Sequence, residues 1–322
     1  MAKKVAVTDY TFDNLGVEES VLKPLGCELV GRQCKTEQEL IDLTHDADYV
    51  ITQFARVNAN VIGAMEKCRI IVRYGIGVDN VDLQAAAAKD IPVCNVPDYC
   101  IDEVADHTLA MSLSLTRQLF YLVKQVKTGT WKFPVDINRM HGLKDMTVGV
   151  VGFGRIGREV ALRFKAFKCK VLVFDPVVEA GKIKGEGFEP ADLARIYAES
   201  DLVTLHCPST AQTKQMINAQ TLAKMKDGVL IVNLSRGDLV HTDDLIAALR
   251  SGKVSGAALD VTDPEPINPD NPLLAMDNVI ITNHIASASP NAVRYLRKST
   301  AERVACAVRG EALPNVVNGV KR

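Results

Sequence analysis

The 322-residue sequence has no apolar run of the roughly 18 uncharged residues that a membrane-spanning helix needs. Its opening, Met-Ala-Lys-Lys-Val, leads straight into a strand-like segment, unlike a secretory leader. Charge of one sign is lacking too: 38 Lys+Arg face 39 Asp+Glu, a formal net charge of −1, and no long basic run stands out. Neither a membrane nor a nucleic acid is therefore an expected partner, because both need a concentrated positive face. The eight cysteines (27, 34, 68, 94, 100, 169, 207 and 306) form no C-x-x-C pair and have no histidine at zinc-ligand spacing. They predict reduced packing thiols, no metal and a cytoplasmic setting. Repeats and low-complexity segments are absent.

What is present is a globular composition, 47% hydrophobic and 24% charged, in a chain long enough for two domains. Short β-branched runs alternate with segments of helical period, the pattern of βαβ units and a doubly wound parallel sheet of Rossmann type. Strands are predicted at 4–8, 49–52, 69–73 and 91–94, with helices at 14–25, 37–44, 60–66 and 81–89. A second strand series follows at 147–151, 170–174, 202–205, 229–232, 255–259 and 279–282. Between the two series, 102–127 reads as one long helix with Val104, Leu109, Leu113, Leu119, Leu122 and Val126 among its apolar positions. Its apolar surface exceeds what one domain would cover, so it is expected to form a homodimer interface. A last helix at 289–310 returns to the first unit. The expected α/β architecture is a discontinuous substrate-binding domain, 1–101 with 289–322, and a dinucleotide-binding domain, 102–288.

Gly152-Phe-Gly154-Arg-Ile-Gly157 lies between a predicted strand and a predicted helix, the context that turns a weak glycine pattern into a dinucleotide signal. Gly152 serves the tight turn, Gly154 admits the pyrophosphate and Gly157 lets helix and strand pack closely. The helix N-terminus adds unpaired N–H groups and partial positive charge. Asp175, 18 residues past Gly157, ends the next strand where a carboxylate accepts ribose hydroxyls. It would repel a 2′-phosphate, so NAD is the expected cofactor. Three further strand ends carry reactive side chains: Asn233-Leu-Ser-Arg236-Gly237, Asp260-Val-Thr-Asp-Pro-Glu265-Pro266 and Asn283-His284-Ile-Ala-Ser287. Ligands of such sheets bind outside the C-terminal strand ends.

Together with Arg73-Tyr-Gly75-Ile-Gly77-Val-Asp79-Asn-Val-Asp82 and Asn95-Val-Pro97, these motifs resemble the NAD-dependent D-2-hydroxyacid dehydrogenases over essentially the whole chain. The similar branch includes the phosphoglycerate dehydrogenases and C-terminal-binding proteins. The resemblance implies hydride transfer between NAD(H) and a small 2-hydroxy or 2-oxo acid. Arg236 would form a planar fork on the carboxylate and carbonyl. His284 would move the proton, and Glu265 would hold its second nitrogen and favour the charged ring. Gly75, Ile76 and Gly77 would offer backbone N–H groups to the carboxylate, with Gln53 nearby. Arg155, Ile156, Cys207, Pro208, Thr213, Leu234 and Asp260 carry over as cofactor contacts.

Gln53 stands where phosphoglycerate-type members commonly carry Arg, which puts a phosphorylated substrate in question, with Arg56 three residues on as a partial substitute. Substrate choice is expected to rest on Gln53, Phe54, Tyr74, Tyr99 and Cys100. His107, His141, His206 and His241 read as structural. An NAD-sensing interaction protein of the C-terminal-binding type is the alternative reading, and the complete Arg236, Glu265 and His284 set favours the enzyme.

Overall fold

The computed structural model describes residues 2–131 and 137–321, and the chain forms two compact units, Met1–Tyr99 with Ser289–Arg322, and Cys100–Ala288. The first unit begins β1 (Lys3–Val7), α1 (Gly16–Leu22), β2 (Cys27–Gly31), α2 (Glu37–Thr44), β3 (Tyr49–Thr52), α3 (Ala59–Ala64), β4 (Ile71–Arg73), α4 (Leu83–Ala88) and β5 (Val93–Cys94). Its five strands are all parallel, in the order β2-β1-β3-β4-β5. Helix starts are set by side chains that accept orphan N–H groups: Thr36 in a capping box with Glu39, Asn58 and Asp82.

The second unit opens with α5 (Ile101–Thr116) and α6 (Leu119–Lys127). It continues β6 (Thr147–Val151), α7 (Arg155–Ala166), β7 (Lys170–Phe174), α8 (Ala180–Gly185), β8 (Glu189–Pro190), α9 (Leu193–Glu199) and β9 (Leu202–Leu205). After these come α10 (Ala219–Leu222), β10 (Val229–Asn233), α11 (Thr242–Ser251), β11 (Val254–Leu259) and β12 (Val279–Ile281). Seven parallel strands lie in the order β12-β11-β10-β9-β6-β7-β8. Strands β3, β9 and β10 are buried at every position, as a parallel sheet covered on both faces requires. The chain then closes the first unit with α12 (Pro290–Arg309), capped by Ser289.

Three expectations are corrected. The helix over 102–127 is two helices, because the Thr116 carbonyl accepts from His141 N–H at 3.0 Å instead of continuing the ladder, and Gln118 turns the chain at φ 49°. Two strands went unread. The edge strand β2 has the half-exposed sequence CELVG, and β8 spans two residues. Tyr74, expected to shape the substrate pocket, is 1% exposed and turned inward.

Candidate active site

The glycine turn after β6 is built around backbone contact. Gly152 adopts φ 97°, and a Cβ there would lie 2.6 Å from the carbonyl of His206, which follows β9. A Cβ on Gly157 would meet the Gly152 oxygen at 2.0 Å. Gly154, by contrast, faces open space, and no side chain caps the N-terminus of α7 that it begins. Where glycine is forced the turn packs on protein; where it is free, a phosphate can approach the helix N-terminus. Asp175 follows β7 and braces this turn: Oδ2 accepts Phe153 N–H at 2.7 Å, and Oδ1 accepts Val177 and Val178 N–H. The residues therefore fit a dinucleotide. His206 lies against the turn, its ring bonded to Thr204 at 2.8 Å, and burial pushes its pKa down to about 3, so the ring stays neutral. Burial pushes the neighbouring Cys207 thiol up to about 11, a packing thiol against Met216. Thr213 ties its hydroxyl to the Pro208 carbonyl at 2.6 Å, and Leu234 is buried.

Three strand ends of the same sheet are laced together. Asn233, fully buried at the end of β10, donates to the Arg236 carbonyl at 2.7 Å and accepts Ser235 N–H at 3.1 Å, while Ser235 reaches the Cys207 carbonyl. Asp260, 1% exposed after β11, accepts Thr282 hydroxyl at 2.5 Å and the N–H groups of Ile285 and Ala286 at 3.0 Å each. Its own carbonyl accepts His284 N–H at 2.8 Å. The Asp260 carboxylate, expected to contact cofactor, thus spends both oxygens on the loop that carries His284. That loop bends sharply, with His284 at φ 55°, a costly conformation for a non-glycine residue. The bend brings Nδ1 of His284 to 2.6 Å from Oε1 of Glu265.

In the first unit, the segments after β3 and β4 meet. The Asp9 carboxylate accepts the N–H groups of Gln53, Phe54 and Ala55 at 2.9, 2.6 and 3.1 Å. The Gln53 amide is clasped by Thr11, accepting its N–H at 2.8 Å and donating to its hydroxyl at 3.1 Å. Gly75 sits at φ 144° with the Arg73 guanidinium occupying the place of a Cβ, and Asn95 donates to the Ile76 carbonyl at 2.6 Å. Gly77 is half-buried in the same turn. Reading by motif missed Asp9 and Thr282, whose signal exists only in three dimensions, and quoted Asn95 without a role. Arg73 and Asn233 stood inside quoted motifs without a role.

Residues 109–286 match the family described as D-isomer specific 2-hydroxyacid dehydrogenase, NAD binding domain. The chain is 36% identical to D-3-phosphoglycerate dehydrogenase of Archaeoglobus fulgidus, over 94% of this chain and 57% of that protein. It is 35% identical to glyoxylate reductase of Korarchaeum cryptofilum, over 88% and 86%. The structure of D-lactate dehydrogenase from Aquifex aeolicus, complexed with NAD and lactic acid, superposes with a TM-score of 0.85 at 31% identity, over 95% and 96% of the two chains. The chain belongs to the D-isomer specific 2-hydroxyacid dehydrogenases, and its cofactor is NAD. It spans little more than half the length of the phosphoglycerate dehydrogenases it matches.

Proposed function

We propose that the protein reduces a small 2-oxo acid, or oxidises the matching D-2-hydroxy acid, with NAD(H). The observation that carries this reading is the 2.6 Å pair of His284 and Glu265 at strand-end loops of an NAD-binding domain. Bound NADH supplies the hydride. With Glu265 accepting from Nδ1, Nε2 of His284 is left to give the carbonyl oxygen its proton in reduction and to take it back in oxidation. Arg236 holds carboxylate and carbonyl in one plane with its guanidinium fork. Of the 75–77 turn, Ile76 and Gly77 offer N–H groups to the carboxylate; Gly75, expected to do the same, gives its N–H to the Arg73 carbonyl at 2.9 Å. Gly152, Gly154, Arg155, Ile156 and Gly157 cradle the pyrophosphate, Asp175 takes the ribose hydroxyls, and Cys207, Pro208, Thr213 and Leu234 shape the rest of the cofactor bed. An NAD sensor would not require the acid–base pair.

Gln53, clasped by Thr11, offers no positive charge. An unphosphorylated acid is the better fit. Glyoxylate, pyruvate, hydroxypyruvate and 3-phosphohydroxypyruvate, assayed with NADH, should therefore favour an unphosphorylated member. His284→Gln should then lower kcat by about 10²–10⁴-fold while NADH binding, followed by fluorescence, is retained. Near-normal turnover by this variant would remove His284 as the acid–base group.

The second unit also supports a homodimer. Leu119, Phe120, Val123 and Val126 of α6 are 43–59% exposed, beside a cavity of about 560 Å³ lined by Leu115, Gln118, Tyr121 and Ile280. An apolar face of this kind calls for a protein partner, and a second copy supplies one. Sedimentation at micromolar concentration should give a dimer, and Val123→Asp a monomer; a monomeric parent protein would end the idea. Among the described residues no helix is long and apolar enough to cross a membrane. Seven of the eight cysteines are buried, as packing thiols of a cytoplasmic protein would be.

A further inference from the structure

An ionic cluster inside the first unit joins Tyr74 of the 73–82 motif to Glu18 and Arg297, which belong to no motif described above. Glu18 of α1 is fully buried. Arg297 of α12 donates Nε to Oε1 at 2.9 Å and Nη2 to Oε2 at 2.7 Å, a bidentate fork, and the Tyr74 hydroxyl donates to Oε1 at 3.0 Å. The guanidinium also reaches the Asn14 carbonyl at 2.6 Å and stacks 4.7 Å above the Phe12 ring. Phe12 in turn meets the Tyr74 ring edge-on at 5.3 Å. Burial and then the Glu18 charge push the Tyr74 phenol well above its usual range, so it remains a donor.

A buried ion pair is a poor way to stabilise a core, since matched apolar side chains often do as well or better. What this one holds gives it another use. Tyr74 is the residue between the end of β4 and the 75–77 turn, and its N–H is fixed on the Thr52 carbonyl at 2.8 Å. Its phenol is the far end of a lever whose near end is the Gly75 peptide. Phe12 and Asn14 flank the loop whose Thr11 clasps Gln53. One carboxylate thus anchors both segments assigned to the substrate.

We propose that Glu18 is a positioning residue for the 2-oxo acid: clamped by Arg297, it fixes the Tyr74 phenol and thereby aims the backbone N–H groups of Ile76 and Gly77 at the substrate carboxylate. This rests on the dehydrogenase reading above and adds to it a cluster that touches neither cofactor nor reacting atoms. Contacts of the same buried area without directionality would support the fold equally but would not set the turn.

The test uses the NADH-loaded protein and oxamate, an inert 2-oxo acid analogue, with binding followed by NADH fluorescence. Glu18→Gln should weaken oxamate by about tenfold or more, and Tyr74→Phe, which removes one hydroxyl, by about threefold to tenfold. NADH affinity should stay within about twofold in both. Unchanged oxamate affinity in folded Tyr74→Phe overturns the proposal, as does a parallel loss of NADH affinity, which a general loosening would cause. Should Glu18→Gln fail to fold, Tyr74→Phe decides alone. A parent protein that binds NADH yet neither binds oxamate nor turns over any 2-oxo acid fails the underlying reading itself, separately from the role of Glu18.

Discussion

Both sheets reverse their strand order once, between β1 and β3 in the first unit and between β6 and β9 in the second, and they use the resulting crevices in opposite ways. Such switch points are where open α/β sheets bind ligands. In the second unit the crevice is kept open: Gly154 leaves space, α7 starts uncapped, and Asp175 braces the turn from the side. In the first, Asp9 fills it, consuming the N–H groups of residues 53–55 that could otherwise have held an anion. One topology therefore gives a ligand cradle or a rigid wall, depending on where a single carboxylate stands. The wall still serves: it fixes Gln53 beside the 75–77 turn, in which Gly75 N–H bonds the Arg73 carbonyl at 2.9 Å and the N–H groups of Ile76 and Gly77 are the ones proposed for a ligand.

Glycine substitutions on the two sides sharpen this contrast. Gly152→Ala places a Cβ 2.6 Å from the His206 carbonyl at φ 97°, and backbone cannot step aside. Strain of about 1–3 kcal/mol should weaken NADH by roughly tenfold to a hundredfold, measured by fluorescence titration, with lowered thermal stability. Gly75→Ala is strained too, at φ 144°, but its Cβ meets the end of the Arg73 side chain rather than backbone. It should raise the KM for the 2-oxo acid by about threefold to tenfold and leave NADH affinity unchanged. Equal damage to NADH binding by both variants would break the assignment of cofactor to one unit and carboxylate to the other. The smallest effect is expected from Asp175→Ala. Losing the acceptor for ribose hydroxyls should narrow the preference for NADH over NADPH, read as a ratio of kcat/KM values, by up to about tenfold. A parent protein using both cofactors equally would refute the role of Asp175.

The motifs of the second unit were legible because they are local. Strand, glycine turn and helix follow one another within 147–166, and Asn233 with Arg236, or Asp260 with Glu265, share single loops. What motif reading assigned differently is instructive. Asp260 proved to organise the loop of His284, since only the fold shows that its two oxygens face Thr282, Ile285 and Ala286. The long helix failed for a related reason. Its periodicity continues through Arg117 and Gln118, and the break comes from an N–H 25 residues away at His141.

By itself the sequence determined the α/β class, the two sheets and the NAD-binding glycine turn. Each of these depends on periodicity or on residue types at short spacing, which the chain carries regardless of how it closes. The tertiary structure alone decided that Asp9 would close one crevice, that Gln53 would be held by Thr11, and that Glu18 would meet Tyr74 and Arg297. Those pairings join residues 42 to 279 positions apart. No local pattern selects a buried carboxylate's partner; it is fixed only when packing removes water and leaves the nearest donor as the remaining way to satisfy the charge.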